Sequence, residues 1–225
     1  MKKNKLNILD CTLRDGGYYN NWFFEKDLIN EYLKVMNAIK VDYVEIGFRF
    51  IDNIRTKGPT AYSEENFLKS LKIPKTLKIG VMINAADFIN QKDIIGLAKE
   101  TFVPKKHSKI SLVRIACHYH EVKKIIPLVN WLNKSGYKVG VNIMQIPELS
   151  IREINSAILQ VKKSKTDILY FADSLGSLDA KKTKSIIKTI KANWKGSTGI
   201  HTHDNMGKAL ENSIEAINNS VNWID

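Results

Sequence analysis

The segment GIHTHDNMGKALENSIEAINNSVNWID, residues 199–225, reads as a strand, a helix and the start of a further strand. Residues 199–203 alternate histidines with β-branched residues, residues 206–218 carry apolar side chains at helical spacing, and residues 221–225 begin the next strand. A strand followed by a covering helix is the unit from which parallel sheets are built. This segment therefore predicts one β/α unit and the opening of another.

The same unit recurs along the whole chain. Predicted strands lie at 7–13, 41–48, 77–83, 110–117, 137–144, 168–173 and 199–203. Predicted helices lie at 25–39, 63–71, 91–100, 120–135, 150–163, 178–192 and 206–218. This repetition favours a (β/α)8 TIM barrel over a doubly wound sheet, and no glycine-rich phosphate motif follows the first strand. Because no linker or low-complexity segment interrupts it, the chain is predicted to form one domain over 1–225.

Composition and charge narrow the class of protein. The 225 residues carry a net charge of +12, which suggests a nucleic-acid partner, but the lysines are spread over helix faces without interleaved aromatic residues. We therefore predict no nucleic-acid binding, although the charge favours anionic substrates. No apolar run approaches the roughly 18 residues of a membrane span, and no apolar segment follows the basic N-terminus, so we expect a cytoplasmic protein without a membrane partner. Cys11 and Cys117 are interpreted as buried thiols.

Polar side chains follow most of the predicted strands. In a (β/α)8 barrel the active site lies at the carboxyl ends of the strands. In this sequence those ends carry titratable and amide groups, whereas the opposite ends carry mostly Lys, Asn and Gly. The predicted rim consists of Arg14, Asp15, Glu45, Arg49, Asn84, Arg114, His118, His120, Asn142, Gln145, Asp173, Ser174, His201, His203, Asp204 and Asn205. Such a one-sided distribution indicates a functional site at this rim.

His201 and His203 are the strongest candidates for a shared role. Side chains at i and i+2 of a strand point to the same face, so both imidazoles can meet at one point. They can hold a metal ion, act as a proton-transfer pair, or simply be exposed without a common role. Together with Asp15 they form a donor set that suits Mn²⁺, Mg²⁺, Co²⁺ or Zn²⁺. Asp15 can also be an ordinary turn residue.

Five motifs, taken together, resemble a known superfamily. They are DCTLRDGG at 10–17, VEIGF at 44–48, VRIACH at 113–118, ADSLGSL at 172–178 and GIHTHDNMGKALENS at 199–213. In this order and at these strands, the chain resembles the metallolyase TIM barrels that include hydroxymethylglutaryl-CoA lyase, isopropylmalate and homocitrate synthases, and 4-hydroxy-2-oxovalerate aldolase. The resemblance covers essentially the whole chain.

The resemblance implies a function and assigns roles to the rim residues. It implies an aldolase or lyase that makes or breaks a carbon–carbon bond next to the enolate of a 2-oxo acid, with an aldehyde as the second small-molecule partner. The metal is expected to be Mn²⁺ or Mg²⁺, with Co²⁺ or Zn²⁺ as alternatives. The implied residues are the metal ligands Asp15, His201 and His203, the enolate-stabilising Arg14, the supporting or substrate-contacting Glu45 and Asp173, and the substrate-binding Asn142 and Ser174. Arg14 can equally be an ion-pair partner of Glu45 or Asp173.

The first motif departs from the family pattern. Synthases continue it as R-D-G-E-Q and lyases as R-D-G-x-Q, whereas here Gly17 and Tyr18 follow. The missing Glu and Gln favour an aldolase over an acyl-CoA-dependent synthase or lyase. Family aldolases carry a catalytic histidine where Tyr18 falls, and a tyrosine with a pKa of about 10 is a poor base. Either His118 or His120 takes over the proton, or Tyr18 acts as an acid, or the tyrosine only packs over the barrel mouth.

The sequence ends at Asp225, before the family's G-x-G-x-x-x-G-N segment. We therefore expect a barrel truncated within its eighth strand, with exposed edges on the first and seventh strands. The resemblance leaves open a homo-oligomer and an aldehyde dehydrogenase that accepts the product. A third hypothesis, from another class, is an inactive barrel that serves as a binding or scaffold subunit.

Overall fold

The structure, a computed structural model, describes residues 5–51 and 55–225. Within these residues eight parallel strands close into a barrel in chain order, which confirms the predicted (β/α)8 fold. The strands are β1 Asn7–Asp10, β2 Tyr43–Phe48, β3 Lys78–Asn84, β4 Ile110–Cys117, β5 Lys138–Ile143, β6 Ile168–Asp173, β7 Ser197–Thr202 and β8 Trp223–Ile224. Residues 1–4, where the predicted domain and its basic N-terminus begin, lie outside the described residues.

Helices connect the strands and cover the barrel. They are α1 Thr12–Asn20, α2 Lys26–Ala38, α3 Pro59–Tyr62, α4 Glu65–Ser70, α5 Ala85–Ile89, α6 Ile94–Thr101, α7 Val122–Lys134, α8 Ile151–Val161, α9 Ala180–Asn193 and α10 Ala209–Asn218. The sequence predicts α2, α4 and α6–α10, whereas α1, α3 and α5 are additions. None of these helices, over the residues that the structure describes, is long and apolar enough to cross a membrane.

Side-chain caps set the starts of several helices. Ser150 accepts a hydrogen bond from the N–H of Glu153, whose carboxylate accepts from the N–H of Ser150, so α8 begins with a capping box. Asp179 accepts from the N–H of Lys182 at the start of α9. These caps satisfy N–H groups that have no partner within the helix, and they define the boundaries more sharply than apolar periodicity does.

Strands β2–β7 are largely buried on both faces, and their residues alternate between two environments. On β4, Val113 and Ile115 belong to the main apolar core beneath the helices, whereas Leu112 and Ala116 pack in two smaller clusters. Arg114, between those two residues, shares their face and is fully buried. The barrel interior therefore contains a charged layer between apolar ones.

Two glycines make room for the large side chains of this layer. A Cβ at Gly140 would lie 3.1 Å from Cγ of Arg114, and a Cβ at Gly199 would lie 2.2 Å from Cε1 of Tyr170. Tyr170 is buried, and the guanidinium of Arg114 lies 4.7 Å from the centre of its ring. Because Gly140 on β5 and Gly199 on β7 have no side chains, Arg114 and Tyr170 fit into the barrel centre.

The segment after β1 differs from the prediction. The sequence predicts a strand over 7–13 that stops at a turn, but β1 ends at Asp10 and α1 follows at once. The carboxylate of Asp10 accepts hydrogen bonds from the N–H and the hydroxyl of Thr12, at 2.9 and 3.1 Å, and so supports the helix start. The prediction was wrong because it took the double glycine as a turn signal. Gly17 lies inside α1, where a Cβ would come 2.0 Å from Cδ1 of Trp22.

β8 is short but joins both of its neighbours. Trp223 pairs with Asn7 on β1 and with Gly199 on β7. A backbone hydrogen bond from Asp225 N to Ile200 O, at 3.2 Å, extends the pairing of β8 with β7 by one residue. The expectation of exposed edges on β1 and β7 is therefore wrong, because residues 223–225 pair with both strands and close the barrel.

Candidate metal centre

The two histidines meet at the mouth of the barrel, as their spacing predicts. Nε2 of His201, on β7, lies 3.1 Å from Nε2 of His203. Nδ1 of His201 lies 2.9 Å from Oδ2 of Asp225, and Nδ1 of His203 lies 3.0 Å from the carbonyl oxygen of Ser174. Because a carboxylate and a carbonyl only accept hydrogen bonds here, each Nδ1 carries a proton and each Nε2 presents a lone pair. At this distance the two Nε2 atoms can share a proton or bind one metal ion between them.

Asp15 lies beside this pair although it comes from the other end of the chain. Its Oδ2 is 3.7 Å from Nε2 of His201 and 3.2 Å from Sγ of Cys11. The candidate ligand atoms of Cys11, Asp15 and His201 all lie within 4.8 Å of one another. Donors bound to one ion at 2.0–2.3 Å are roughly 2.8–4.0 Å apart for angles of about 90–120°. The separations of 3.2 Å from Cys11 to Asp15 and 3.7 Å from Asp15 to His201 fall in this range and fit a divalent metal. His203 is not in this group of mutually close ligand atoms and joins the site through its 3.1 Å contact with His201.

A buried network of charges supports the candidate ligands from below. Glu45 accepts hydrogen bonds from Nε of Arg14 at 2.7 Å and from Nε and Nη2 of Arg114 at 2.6 and 2.7 Å. Nη1 of Arg114 donates to Asp225 at 2.6 Å, and Nη1 of Arg14 donates to Asp15. The network therefore links both ends of the donor set, Asp15 directly and His201 through Asp225. The sequence left open whether Arg14 pairs with Glu45 or with Asp173, and the structure shows the ion pair with Glu45.

Ion pairs within the network shift the pKa values of its side chains so that these stay charged although they are buried. Burial alone would raise the pKa of Asp225, but Arg114 and then His201 outweigh it and lower that pKa to about 2. Burial opposes the charge on Arg114, yet Asp225 and Glu45 raise its pKa well above the ordinary value. The same balance, with Glu45 as the main partner, raises the pKa of Arg14. Burial raises the pKa of the Cys11 thiol well above its usual range.

Three polar atoms near the mouth are buried without a protein partner among the described residues. They are Nη2 of Arg14, Oδ1 of Asn142 and Oδ1 of Asp225. Asn142 lies two residues after Gly140 on β5 and so shares the inward face. Buried polar atoms without partners are costly, and such a group at the mouth indicates a polar ligand or ordered water there.

Asp173 and Ser174 shape the loop after β6. The two carboxylate oxygens of Asp173 accept hydrogen bonds from the N–H groups of Ser177 and Leu178, at 2.9 and 3.0 Å. Ser174 contacts the site through its backbone carbonyl, which holds His203. Of the two roles that the resemblance allows Asp173, its contacts favour the supporting one.

Tyr18 and His118 lie outside the network. The ring of Tyr18 packs edge-on against Trp22 and Phe48, with centroids 4.7 and 6.0 Å away. Burial raises the pKa of Tyr18, which favours the acid or packing alternatives over a base. His118 stacks on His120 with ring centroids 5.6 Å apart. In the part of the chain that the structure describes, neither side chain is hydrogen-bonded to a candidate ligand.

Sequence reasoning missed three residues of this site. It placed Arg114 on the rim, but the side chain lies inside the barrel, where it joins Glu45 to Asp225. It gave Asp225 no role and interpreted Cys11 as an ordinary buried thiol. The period of two along β1 carries a signal for Cys11, because the residue follows the inward-facing Leu9 by two positions.

Two curated relatives match nearly the whole chain. The chain is 21% identical over 220 residues to oxaloacetate decarboxylase of Mycobacterium tuberculosis, covering 97% of this chain and 62% of the relative. It is 24% identical over 224 residues to 4-hydroxy-2-oxovalerate aldolase of Carboxydothermus hydrogenoformans, covering 98% and 64%. The chain thus spans less than two thirds of the length of these relatives.

Solved structures share the barrel, and a family model matches the chain. The N-terminal domain of a candidate aldolase from Bacteroides vulgatus superposes with a TM-score of 0.83 at 30% identity, over 98% of this chain and 72% of that one. Hydroxymethylglutaryl-CoA lyase from Bacillus subtilis gives 0.77 at 13% identity, over 98% and 76%, which shows the fold alone. The model described as HMGL-like matches residues 5–225. The chain therefore belongs to the HMGL-like family, whose members include lyases and aldolases acting on carbon–carbon bonds.

Proposed function

We propose that this protein is a divalent-metal-dependent aldolase that makes or breaks a carbon–carbon bond next to the enolate of a 2-oxo acid such as pyruvate. The observation that carries the proposal is the pair of facing Nε2 atoms, 3.1 Å apart, with both Nδ1 atoms held by acceptors. Asp15, His201 and His203 would hold the ion, with Mn²⁺ or Mg²⁺ as the family expectation. When bound, a divalent ion acts as a Lewis acid toward a carbonyl oxygen.

Arg14 is the group of this chain best suited to meet the negative charge that develops on the substrate oxygen. Its Nε and Nη1 atoms are fixed by Glu45 and Asp15, and its Nη2 atom is buried without a partner among the residues that the structure describes. A guanidinium held in advance needs no reorganisation as charge develops, which is the main source of electrostatic stabilisation in enzymes. Arg14 therefore binds the oxyanion with Nη2, and Glu45 fixes its position.

The remaining rim residues bind and orient the substrate. Oδ1 of Asn142 is buried without a hydrogen-bond partner in the described part of the chain, and as an acceptor it suits a hydroxyl of the substrate. Ser174 fixes His203 through its carbonyl and borders the same opening. Burial raises the pKa of Tyr18, so the hydroxyl keeps its proton and can act as a hydrogen-bond donor rather than a base, and His118 stays a candidate base for the alcohol proton.

The relatives support a 2-oxo acid as the substrate class. Cleavage of 4-hydroxy-2-oxovalerate by an aldolase and decarboxylation of oxaloacetate both leave the enolate of pyruvate, so one site serves either reaction. The net charge of +12 favours such anionic substrates. An aldehyde is then the second product of the aldolase reaction.

The test is release of pyruvate from 4-hydroxy-2-oxovalerate and from oxaloacetate by the purified protein with added Mn²⁺, Mg²⁺, Co²⁺ or Zn²⁺. We expect metal-dependent turnover that His203→Ala abolishes. The control is His107→Ala, an exposed histidine that precedes β4 at the opposite end of the barrel. Unchanged turnover in His203→Ala contradicts the site assignment. Thiol release from acetyl-CoA favours the acyl-CoA alternative, and no metal binding in calorimetry favours the scaffold.

A further inference from the structure

Cys11 opens directly onto the candidate metal centre. Its Sγ atom lies 3.2 Å from Oδ2 of Asp15, and its ligand atom is within 4.8 Å of that of His201. The other cysteine, Cys117, is fully buried in the main apolar core beneath the helices. The two thiols therefore lie in different environments, and one of them borders groups that already fit a cation.

The separation between sulfur and oxygen suits a shared ion. Two donors bound to one metal at about 2.3 Å for sulfur and 2.1 Å for oxygen are roughly 3.1 Å apart at a right angle. The measured distance from Sγ of Cys11 to Oδ2 of Asp15 is 3.2 Å. The thiol would therefore lie next to Asp15 among the ligands of an ion that Asp15 and His201 would also hold.

The charges of the network favour a cation at this site. Two guanidiniums, of Arg14 and Arg114, face the carboxylates of Glu45, Asp15 and Asp225, and the carboxylate of Asp10 lies close enough to Asp15 and Asp225 to interact with both. The carboxylates therefore outnumber the guanidiniums, and a bound divalent ion would offset the excess negative charge.

We propose that Cys11 supplies a thiolate ligand to this metal, so that the site prefers thiophilic ions such as Zn²⁺ and Co²⁺ over Mg²⁺ and Mn²⁺. The inference rests on the proposed function, because it takes Asp15, His201 and His203 as the other ligands. On binding, the S–H bond breaks, a sulfur–metal bond forms, and the proton leaves for solvent, with no change of oxidation state. Soft thiolate donors select Zn²⁺ and Co²⁺, whereas carboxylate and water suit Mg²⁺ and Mn²⁺.

Titration of the full chain with Co²⁺ tests the proposal. We expect a near-ultraviolet charge-transfer band from thiolate to Co²⁺ in the wild type and in the control Cys117→Ser. Cys11→Ser is expected to keep the visible bands of bound Co²⁺ and lose the charge-transfer band. Calorimetry in buffers of different ionisation enthalpy should count one more proton released per Zn²⁺ in the wild type than in Cys11→Ser. The preference for Zn²⁺ over Mn²⁺ should fall at least tenfold in the variant.

The outcomes separate the two proposals. Visible Co²⁺ bands in the wild type without a charge-transfer band overturn the thiolate ligand and leave the metal centre standing. No binding of Co²⁺, Zn²⁺ or Mn²⁺ to the wild type overturns both. If Cys11→Ser does not fold, the wild-type band and its proton count decide the question alone.

Discussion

Glu45→Gln is the perturbation that most directly tests the buried network. Glu45 is fully buried and accepts three hydrogen bonds from Arg14 and Arg114, at 2.7, 2.6 and 2.7 Å. A glutamine keeps an acceptor at Oε1, which receives two of these bonds. Its NH2 group replaces Oε2 and points a donor at Nε of Arg114. The change thus removes one hydrogen bond and leaves two buried guanidiniums with one carboxylate fewer.

Breaking a buried ion pair by removing one partner costs about 3–5 kcal/mol, and we expect a loss of that size in the free energy of unfolding. For a chain of 225 residues each kcal/mol lowers Tm by roughly 2–4 °C, so Tm should fall by about 10 °C. Urea unfolding followed by tryptophan fluorescence measures the first quantity, and calorimetry the second. The control is Glu31→Gln, which removes an exposed pair with Lys34 and should change stability by less than about 0.5 kcal/mol. A loss below about 1 kcal/mol in Glu45→Gln would refute the view that this carboxylate balances two buried cations.

Two further predictions address the barrel interior. Gly199→Ala places a Cβ 2.2 Å from Cε1 of Tyr170 and should lower the free energy of unfolding by about 1–3 kcal/mol in urea titrations; no loss would mean that Tyr170 can move aside. Asp225 has its pKa lowered from 3.8 to about 2, so its stabilising contribution, of the order of 2 kcal/mol, is complete above about pH 5 and is lost progressively as the pH falls through about 2. Unfolding measured from pH 2 to pH 6 should therefore show a shallower pH dependence in Asp225→Asn than in the wild type, and equal slopes would contradict the assignment.

The strands were predictable because burial on both faces leaves a strong local signal. Predicted strands at 110–117 and 168–173 coincide with β4 and β6, since apolar β-branched runs between turn residues admit little else. The segment after β1 was not predictable in the same way. There Gly17, the second residue of the double glycine, makes room for Trp22, and the sequence alone does not distinguish such a packing glycine from a turn glycine.

The candidate site was also predictable only in part, because some of its contacts are local in sequence and others are not. The i, i+2 spacing placed His201 and His203 together from local geometry alone. The partners of Arg114 are 69 and 111 positions away along the chain, at Glu45 and Asp225, and no local pattern encodes such pairings. Residues whose role depends on barrel closure therefore emerge only once the strands are placed side by side.

The buried charged layer around Arg114 and Glu45, for which Gly140 and Gly199 leave room, also affects which strand alignments are stable. Sliding β4 by one residue against its neighbours would turn Arg114 away from Glu45 and into the apolar layer beneath the helices, because strand side chains alternate with a period of two. An unpaired guanidinium buried in that apolar layer costs far more folding free energy than a valine moved to the other face of the strand. Alignments shifted by one residue are thus penalised at the barrel centre, before any ligand is present. Correct alignment of the strands and correct placement of the residues at the mouth therefore depend on the same contacts, those that join Arg114 to Glu45 and Asp225.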